Sequence, residues 1–307
     1  MKRIQIETPS RLHFGVINIK NKDFNLFGCA GCAIENPCFT IIAEENDELI
    51  LDVERKDVKY KVQKLIKFLK IKTKAKIKTI NTIPEHKGFG STTQLTLALS
   101  YALCFFNNIK FDAYKIAEIT NLGKISGIGI GAFLYGGFLI DSGKKHNEIP
   151  KIIFRWDFPK EWIFVILLPK NLNKGLKGKE EIEAFKKLNP APKERIKEML
   201  YLLEEMKDAL KCKNIETFGK SLTKFQINVG LNFFEFQKGI YSSSEQEKLI
   251  KLLENIGAYG TGQSSWGPAV YGVFLEEEKS KILKKLSEYT NIDLIITKAN
   301  NYGVKIK

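Results

Sequence analysis

Residues 88 to 94 read Gly-Phe-Gly-Ser-Thr-Thr-Gln, and a long apolar run, LTLALSYALCFF, follows at once. Glycine lets a backbone approach a ligand closely. The amides of a helix's first turn have no carbonyl partner within the helix, and the helix dipole adds partial positive charge there. Gly88, Gly90, Ser91, Thr92, Thr93 and Gln94, with Lys87 just before them, are therefore candidates to hold a phosphate or pyrophosphate. No Gly-Lys-Ser/Thr follows at the spacing of a nucleotide-binding P-loop. Two other stretches combine glycine with hydroxyls, TPSRLHFG at 8–15 and GTGQSSWGP at 260–268. A further one, SGIGIG at 126–131, is more apolar and offers Ser126. Taken alone, the stretch at 84–94 also reads as an ordinary glycine turn with a Ser or Thr helix cap.

The elements that must carry these residues follow from periodicity. Residues 2–19 alternate apolar and polar and predict two strands around a Thr8-Pro9-Ser10 turn. Residues 39–54 and 73–80 add strands, and 58–70 a helix. Pro84 breaks the chain before a helix that runs to about Phe106. Asp112 is placed to cap the next helix. A polar segment at 141–152, with Pro150, suggests a boundary between domains 1–150 and 151–307. The second half opens on the strand WIFVILLP and continues with helices near 179–188, 193–211, 213–229 and 244–256. Ser244 and Glu247 have capping-box spacing. A helix near 276–289 and the strand IDLIIT close the chain. Mixed strands and helices predict an α+β protein of two domains.

Composition narrows the class. The chain has 307 residues, 44% hydrophobic and 11% aromatic, enough for a sizeable core. No apolar run is long enough to span a bilayer and no signal-peptide pattern opens the sequence, so a soluble cytoplasmic protein is expected. The formal net charge of +14 favours anionic partners. The lysines alternate with Leu and Ile as on a solvated face, without an RNA-binding or zinc-finger signature, so nucleic acid is not the expected partner. Arginine is rare: Arg3, Arg11, Arg55, Arg155 and Arg195 are the whole set, and each is a potential bidentate anion clamp. The five cysteines include Cys29-Ala-Gly-Cys32, but no second pair stands at zinc spacing, and buried thiols are the plainer reading.

In order and spacing the three glycine stretches resemble the galactokinase–homoserine kinase–mevalonate kinase (GHMP) superfamily. Its first motif is matched by Pro9-Ser10-Arg11, its second by Pro84, Gly88, Gly90 and Ser91, and its third by Gly260 to Pro268. The resemblance implies an N-terminal domain like ribosomal protein S5 domain 2, a ferredoxin-like C-terminal domain, and a site between them. Many superfamily kinases carry Ser-Gly-x-Asp, with the aspartate acting as base or orienting the acceptor. Here Gly129 holds that position. An ATP-dependent small-molecule kinase is the alternative this leaves, since one kinase branch manages without the aspartate.

GFGSTTQ, SGIG and GQSSWGP, with TPSRLHFG at the start, resemble more closely the archaeal β-ribofuranosylaminobenzene (or hydroxybenzene) 5′-phosphate synthases. The family's second motif is Gly-Leu-Gly-Ser-Gly-Thr-Gln, from which this chain departs at Phe89 and Thr92. The family tends to be richer in arginine just before Ser-Gly-Ile-Gly, where this chain has only Lys124. The resemblance implies a decarboxylating phosphoribosyl transfer from phosphoribosyl pyrophosphate to 4-hydroxybenzoate or 4-aminobenzoate, in tetrahydromethanopterin biosynthesis, with Mg2+ as cofactor and a homodimer as assembly. Lys87 to Gln94 and Ser126 would take phosphate or pyrophosphate. Arg11 would orient the ring carboxylate, and His13 would accept a proton from a para-hydroxyl. Gly262, Gln263, Ser264, Ser265 and Trp266 would meet the substrate, with Trp266 stacking on the ring. The plainer readings are a surface ion pair for Arg11, a core histidine for His13 and loop packing for Trp266. His86 reads as a solvated loop residue, and Arg155 and Trp156 as hinge packing.

Overall fold

The computed structural model describes residues 2–72, 74–144, 148–171 and 188–307. The helix expected near 179–188 lies almost wholly outside them. The N-terminal half is built on β1 (Arg3–Asn18), β2 (Phe27–Glu45), β3 (Ile50–Asp52), α1 (Lys56–Leu69), β4 (Ala75–Asn81), α2 (Ser91–Phe106), α3 (Ala113–Thr120), α4 (Ile128–Leu134), β5 (Phe138–Asp141) and β6 (Ile152–Trp156). The C-terminal half follows with β7 (Trp162–Pro169), α5 (Lys193–Lys211), α6 (Ile215–Gln237), α7 (Ser244–Asn255), β8 (Gly260–Gln263), β9 (Val270–Leu275), α8 (Lys279–Leu286), β10 (Ile292–Lys298) and the short β11 (Lys305–Ile306).

The first sheet runs β11-β1-β2-β4-β3, with β5 pairing β2 and β6 pairing β5. The second has the order β10-β7-β9-β8. Strand β9 lies between β7 and β8 and is antiparallel to both, so β7, the helices after it and β8 form a split βαβ unit, as the expected ferredoxin-like half requires. The sheets also refine the expected division at 150/151. Strand β6 pairs with β5 beyond that point, so the change of sheet falls between Trp156 and Trp162. The C-terminal tail then returns to pair β11 with β1.

Thr8-Pro9-Ser10 is not a turn between two strands, as expected, but a bulge inside one sixteen-residue strand. Pro9 cannot donate to a ladder, and a bulge tolerates that. A second register shift falls between His13 and Gly15. Between the two shifts, side-chain alternation decides the site. Leu12 and Phe14 are fully buried in the core. Arg11 and His13 point the other way, toward the cavities described below.

Phe14 binds the halves together. Its ring lies 6.0 Å from Phe138 of β5 and 5.4 Å from Tyr271 of β9, so one aromatic core runs beneath both sheets. Helix α2 is the central rod of the first half, buried on most of its surface. Asp112 caps α3 as expected, accepting from the amides of Tyr114 and Lys115 at 3.0 Å. The cap of α7 is Ser243 rather than Ser244: its hydroxyl accepts from the Gln246 amide at 3.2 Å. In a run of three serines, the spacing alone could not choose between neighbours. Among the described residues no helix is long and apolar enough to cross a membrane.

Candidate active site

Three segments far apart in sequence are bonded to one another at the seam of the two halves. The loop before α2 approaches β1 through the Arg11 amide, 3.1 Å from the Phe89 carbonyl. It approaches the third glycine stretch through Ser264 Oγ, which donates to Gly88 O at 2.6 Å. The third stretch in turn meets β1: the His13 amide donates to Ser264 Oγ at 3.0 Å and the Ser265 amide to His13 O at 3.1 Å. The Arg11 guanidinium also donates to the Gly88 carbonyl.

Glycine is required where these segments touch. Gly88 has φ +96°, and a Cβ there would lie 2.4 Å from Ser264 O. Gly90 has φ +77° and caps α2 without a side-chain hydrogen bond. The amides of Thr93 and Gln94 turn back to Gly90 O at 3.1 and 3.2 Å. The Ser91 and Thr92 amides, at the helix mouth, have no carbonyl to meet within the helix.

Two cavities flank this junction and share Arg11, Thr93, Ser265 and Trp266 as walls. The larger, about 790 Å³, opens onto the first turns of both α1 and α2 and is bordered by Gly88, Gly90, Ser91 and Thr92. Its charged lining is Arg11, Arg55, Lys56 and Lys61 against Glu54, Asp57 and Glu85. The smaller, about 120 Å³, is walled by His13, Ser126, Gly129 and Gln263 together with apolar Val229, Phe233 and Ile240. Trp266 stands between the two, backed by the rings of Phe233 at 5.0 Å and Phe236 at 5.2 Å on α6.

Not all expected residues line these cavities. Gln94 is fully buried; its Nε2 donates to the Gly129 carbonyl at 2.8 Å, bracing α2 against α4. Ser264 is fully buried in the bonds given above. Gly262 packs against Gln226 and Tyr271. Lys87 lies on the loop, its carbonyl accepting from the Ala269 amide at 3.3 Å, and borders neither cavity. Gln263 lines the smaller cavity while holding the third stretch, its Nε2 donating to Ser265 O at 2.8 Å and its Oε1 accepting from the Ser242 amide at 3.0 Å. His86 does face the larger cavity, beside Glu85 at 3.7 Å. Arg155 pairs with Asp157 at 2.5 Å, away from both.

His13 is almost completely buried. Burial first, and the neighbouring Arg11 charge second, lower its pKa from 6.5 to about 3. It is therefore a neutral imidazole near pH 7, and its Nδ1 has no hydrogen-bond partner among the described residues. Ser126 is set by Asp141, whose carboxylate accepts from Ser126 Oγ at 3.2 Å and the Gly127 amide at 2.7 Å. Asp141 also accepts from the amides of Cys29 at 2.9 Å and Gly143 at 3.0 Å. Burial pushes its pKa up, against those four hydrogen bonds. Cys29 and Cys32 stand three apart on β2, so their thiols leave opposite faces of the sheet.

Two residues that the motifs did not single out for the site shape it. Gln226 of α6 lines the smaller cavity, with its Oε1 accepting from the Gln263 amide at 3.0 Å and its Nε2 donating to Tyr271 at 3.1 Å. Arg55, at the N-cap of α1, reaches the mouth of α2. Its only sequence signal was the scarcity of arginine.

Residues 58–137 match the family description "GHMP kinases N terminal domain" and residues 199–292 match "GHMP kinases C terminal". Among solved structures, a homoserine kinase from Cytophaga hutchinsonii aligns over 100% of this chain and 98% of its own, with TM-score 0.67 and 15% identity. A mevalonate pyrophosphate decarboxylase from Streptococcus pyogenes aligns over 98% and 97%, with TM-score 0.71 and 15% identity. At that identity they show the fold alone. A β-ribofuranosylphenol 5′-phosphate synthase of Methanocaldococcus jannaschii is 33% identical over 98% of this chain and 99% of its own length. The protein of the same name from Methanothermobacter thermautotrophicus is 28% identical over 97% of each chain. The chain belongs to the β-ribofuranosylphenol 5′-phosphate synthase family, built on the two-domain α+β fold of the GHMP kinases.

Proposed function

We propose that this chain condenses phosphoribosyl pyrophosphate with 4-hydroxybenzoate, releasing carbon dioxide and pyrophosphate, in tetrahydromethanopterin biosynthesis. The observation that carries the reading is the pair of cavities meeting at Arg11, Thr93, Ser265 and Trp266, with glycine rather than a carboxylate at 129. The larger cavity suits a phosphorylated sugar diphosphate: two helix N-termini border it, with Arg11, Lys56 and Lys61 beside the acid-paired Arg55. The smaller suits one aromatic ring, since an apolar cavity of about 150 Å³ accepts benzene. The name of the relatives, a phenol product, favours the hydroxybenzoate over 4-aminobenzoate.

The chemistry balances without redox. The C1–O bond to pyrophosphate breaks and its electron pair leaves with the diphosphate. The ring carbon bearing the carboxylate forms the new bond to the oxocarbenium-like C1. The bond to the carboxylate then breaks, carbon dioxide departs, and the released pair restores the aromatic ring. Fixed donors aimed at developing negative charge are worth most where water is excluded. The Ser91 and Thr92 amides and hydroxyls supply them for the leaving diphosphate. Arg11, which borders both cavities, is placed to orient the ring carboxylate. His13, neutral and facing the smaller cavity, is the acceptor for the para-hydroxyl proton. Its lowered pKa makes it a weak base before substrate binds, and the negative charge of a bound benzoate favours its protonated form.

Asp57 and Glu85 present carboxylate oxygens to the larger cavity, the donor chemistry Mg2+ takes. Bound there, Mg2+ would neutralise charge on the departing group.

The test is a release assay with phosphoribosyl pyrophosphate and carboxyl-labelled 4-hydroxybenzoate or 4-aminobenzoate. Labelled carbon dioxide and pyrophosphate should appear in equal amounts. No turnover of either benzoate across a magnesium titration would overturn the reading, and ADP formation from ATP with an alcohol acceptor would replace it by a kinase.

A further inference from the structure

We infer that Arg55 is a positioning residue for the diphosphate, acting through the hydroxyls of Ser91 and Thr92; this rests on the function proposed above. Arg55 is 8% exposed, yet it borders the larger cavity. Its Nη1 donates to Ser91 Oγ at 3.3 Å and its Nη2 to Thr92 Oγ1 at 2.7 Å. Two of its three other N–H groups go to acids. Asp57 receives Nε and Nη2 at 2.9 and 2.7 Å, and Glu85 lies 3.3 Å from Nε. The hydrogen bond from Arg55 in turn holds the Asp57 carboxyl below its usual range.

With its charge already met by two carboxylates, Arg55 is a poor direct clamp for an incoming phosphate. But a guanidinium donates only, so both hydroxyl oxygens must accept from it. Each hydroxyl keeps a single hydrogen. For Ser91 that hydrogen is left for an acceptor in the cavity. For Thr92 the protein acceptor within reach is Asp57 Oδ2 at 3.4 Å, a long contact that a phosphate oxygen can replace. Arg55 thereby turns two ambivalent hydroxyls into donors aimed at an anion.

Arg55→Lys keeps the charge but cannot fork to two hydroxyls and a carboxylate. Loss of such charge-assisted bonds should raise KM for phosphoribosyl pyrophosphate, and the inhibition constant of inorganic pyrophosphate, by about tenfold or more. KM for 4-hydroxybenzoate should stay unchanged. In a Ser91→Ala/Thr92→Val background the same Arg55→Lys change should have little further effect, because the hydroxyls through which it acts are gone. The inference is overturned if the pyrophosphate inhibition constant does not move in R55K, or if the two sets of changes multiply independently. Should R55K not fold, S91A/T92V alone must show the same loss, confined to the diphosphate substrate; an unchanged pyrophosphate constant there overturns it equally. Wild-type protein run in parallel separates the two claims. If it releases no carbon dioxide the proposed function fails, whereas if it turns over and R55K matches it only Arg55's role does.

Discussion

Gly88→Ala tests how closely the two glycine loops must approach. The new Cβ would stand 2.4 Å from Ser264 O, a backbone atom that accepts from the Gly267 amide at 3.2 Å, and 3.3 Å from Ser264 Cβ. The residue would also keep φ near +96°. Positive φ costs an L-residue roughly 1–2 kcal/mol. Opening the overlap, as small-to-large changes in packed regions do, costs roughly 1–3 kcal/mol more. Gly257 provides the control: its φ is +105°, but nothing lies within 4 Å of its Cβ position. Gly257→Ala should therefore carry only the backbone cost and leave catalysis alone. In G88A the loops must part by about half an ångström or more, and a displacement of about 1 Å at reacting groups can lower rates about 100-fold. Denaturant melts give the stabilities, and initial rates of pyrophosphate release give the activities. If G88A is no less stable than G257A and keeps activity within about threefold of wild type, the close approach of the loops is not what shapes the site.

The buried neutral His13 makes stability sensitive to acid. Its folded pKa, about 3, lies below the unfolded 6.5, so as pH falls below 6.5 the unfolded chain gains a proton that the folded chain refuses. Each pH unit in that window should cost up to about 1.4 kcal/mol, and melts of His13→Gln between pH 7 and 4 should lack that slope. A wild-type slope equal to that of H13Q would refute the assignment. Asp141→Asn turns one of two acceptor oxygens into an amide nitrogen facing N–H donors of Cys29, Gly127 or Gly143. We expect a loss of about 2–3 kcal/mol by urea unfolding; a loss under about 0.5 kcal/mol, the level of an ordinary surface change, would show that the carboxylate is not the anchor of this loop.

Gly88 and Gly90 were legible because a positive φ and a close approach leave glycine as the low-strain choice. The same pattern misled at its far end. Gln94 sits four residues into α2, where the helix has turned its side chain inward, so an amide that looked like part of the anion site braces α4 instead. Thr8-Pro9-Ser10 carried every local mark of a turn, and the long partner strand β2 overrode it. Arg55 could not be assigned by any motif. It comes from the cap of a different helix, thirty-six residues before Ser91, and only the tertiary fold brings the two within bonding range.

The distinction from the phosphotransferring members of this fold is also tied to packing and not to a single letter. A Cβ at position 129 would lie 3.2 Å from Thr93 Cγ2, tighter than most real contacts. Thr93 borders both cavities, and the Gly129 carbonyl holds Gln94. A Cβ at 129 would thus ask the Thr93 side chain to give by a few tenths of an ångström, and a carboxylate on it would face the smaller cavity beside Arg11. An aspartate restored at 129 would therefore shift a side chain that both cavities share, and Gly129→Asp should slow pyrophosphate release in initial-rate assays; an unchanged rate would show that this packing does not shape the site.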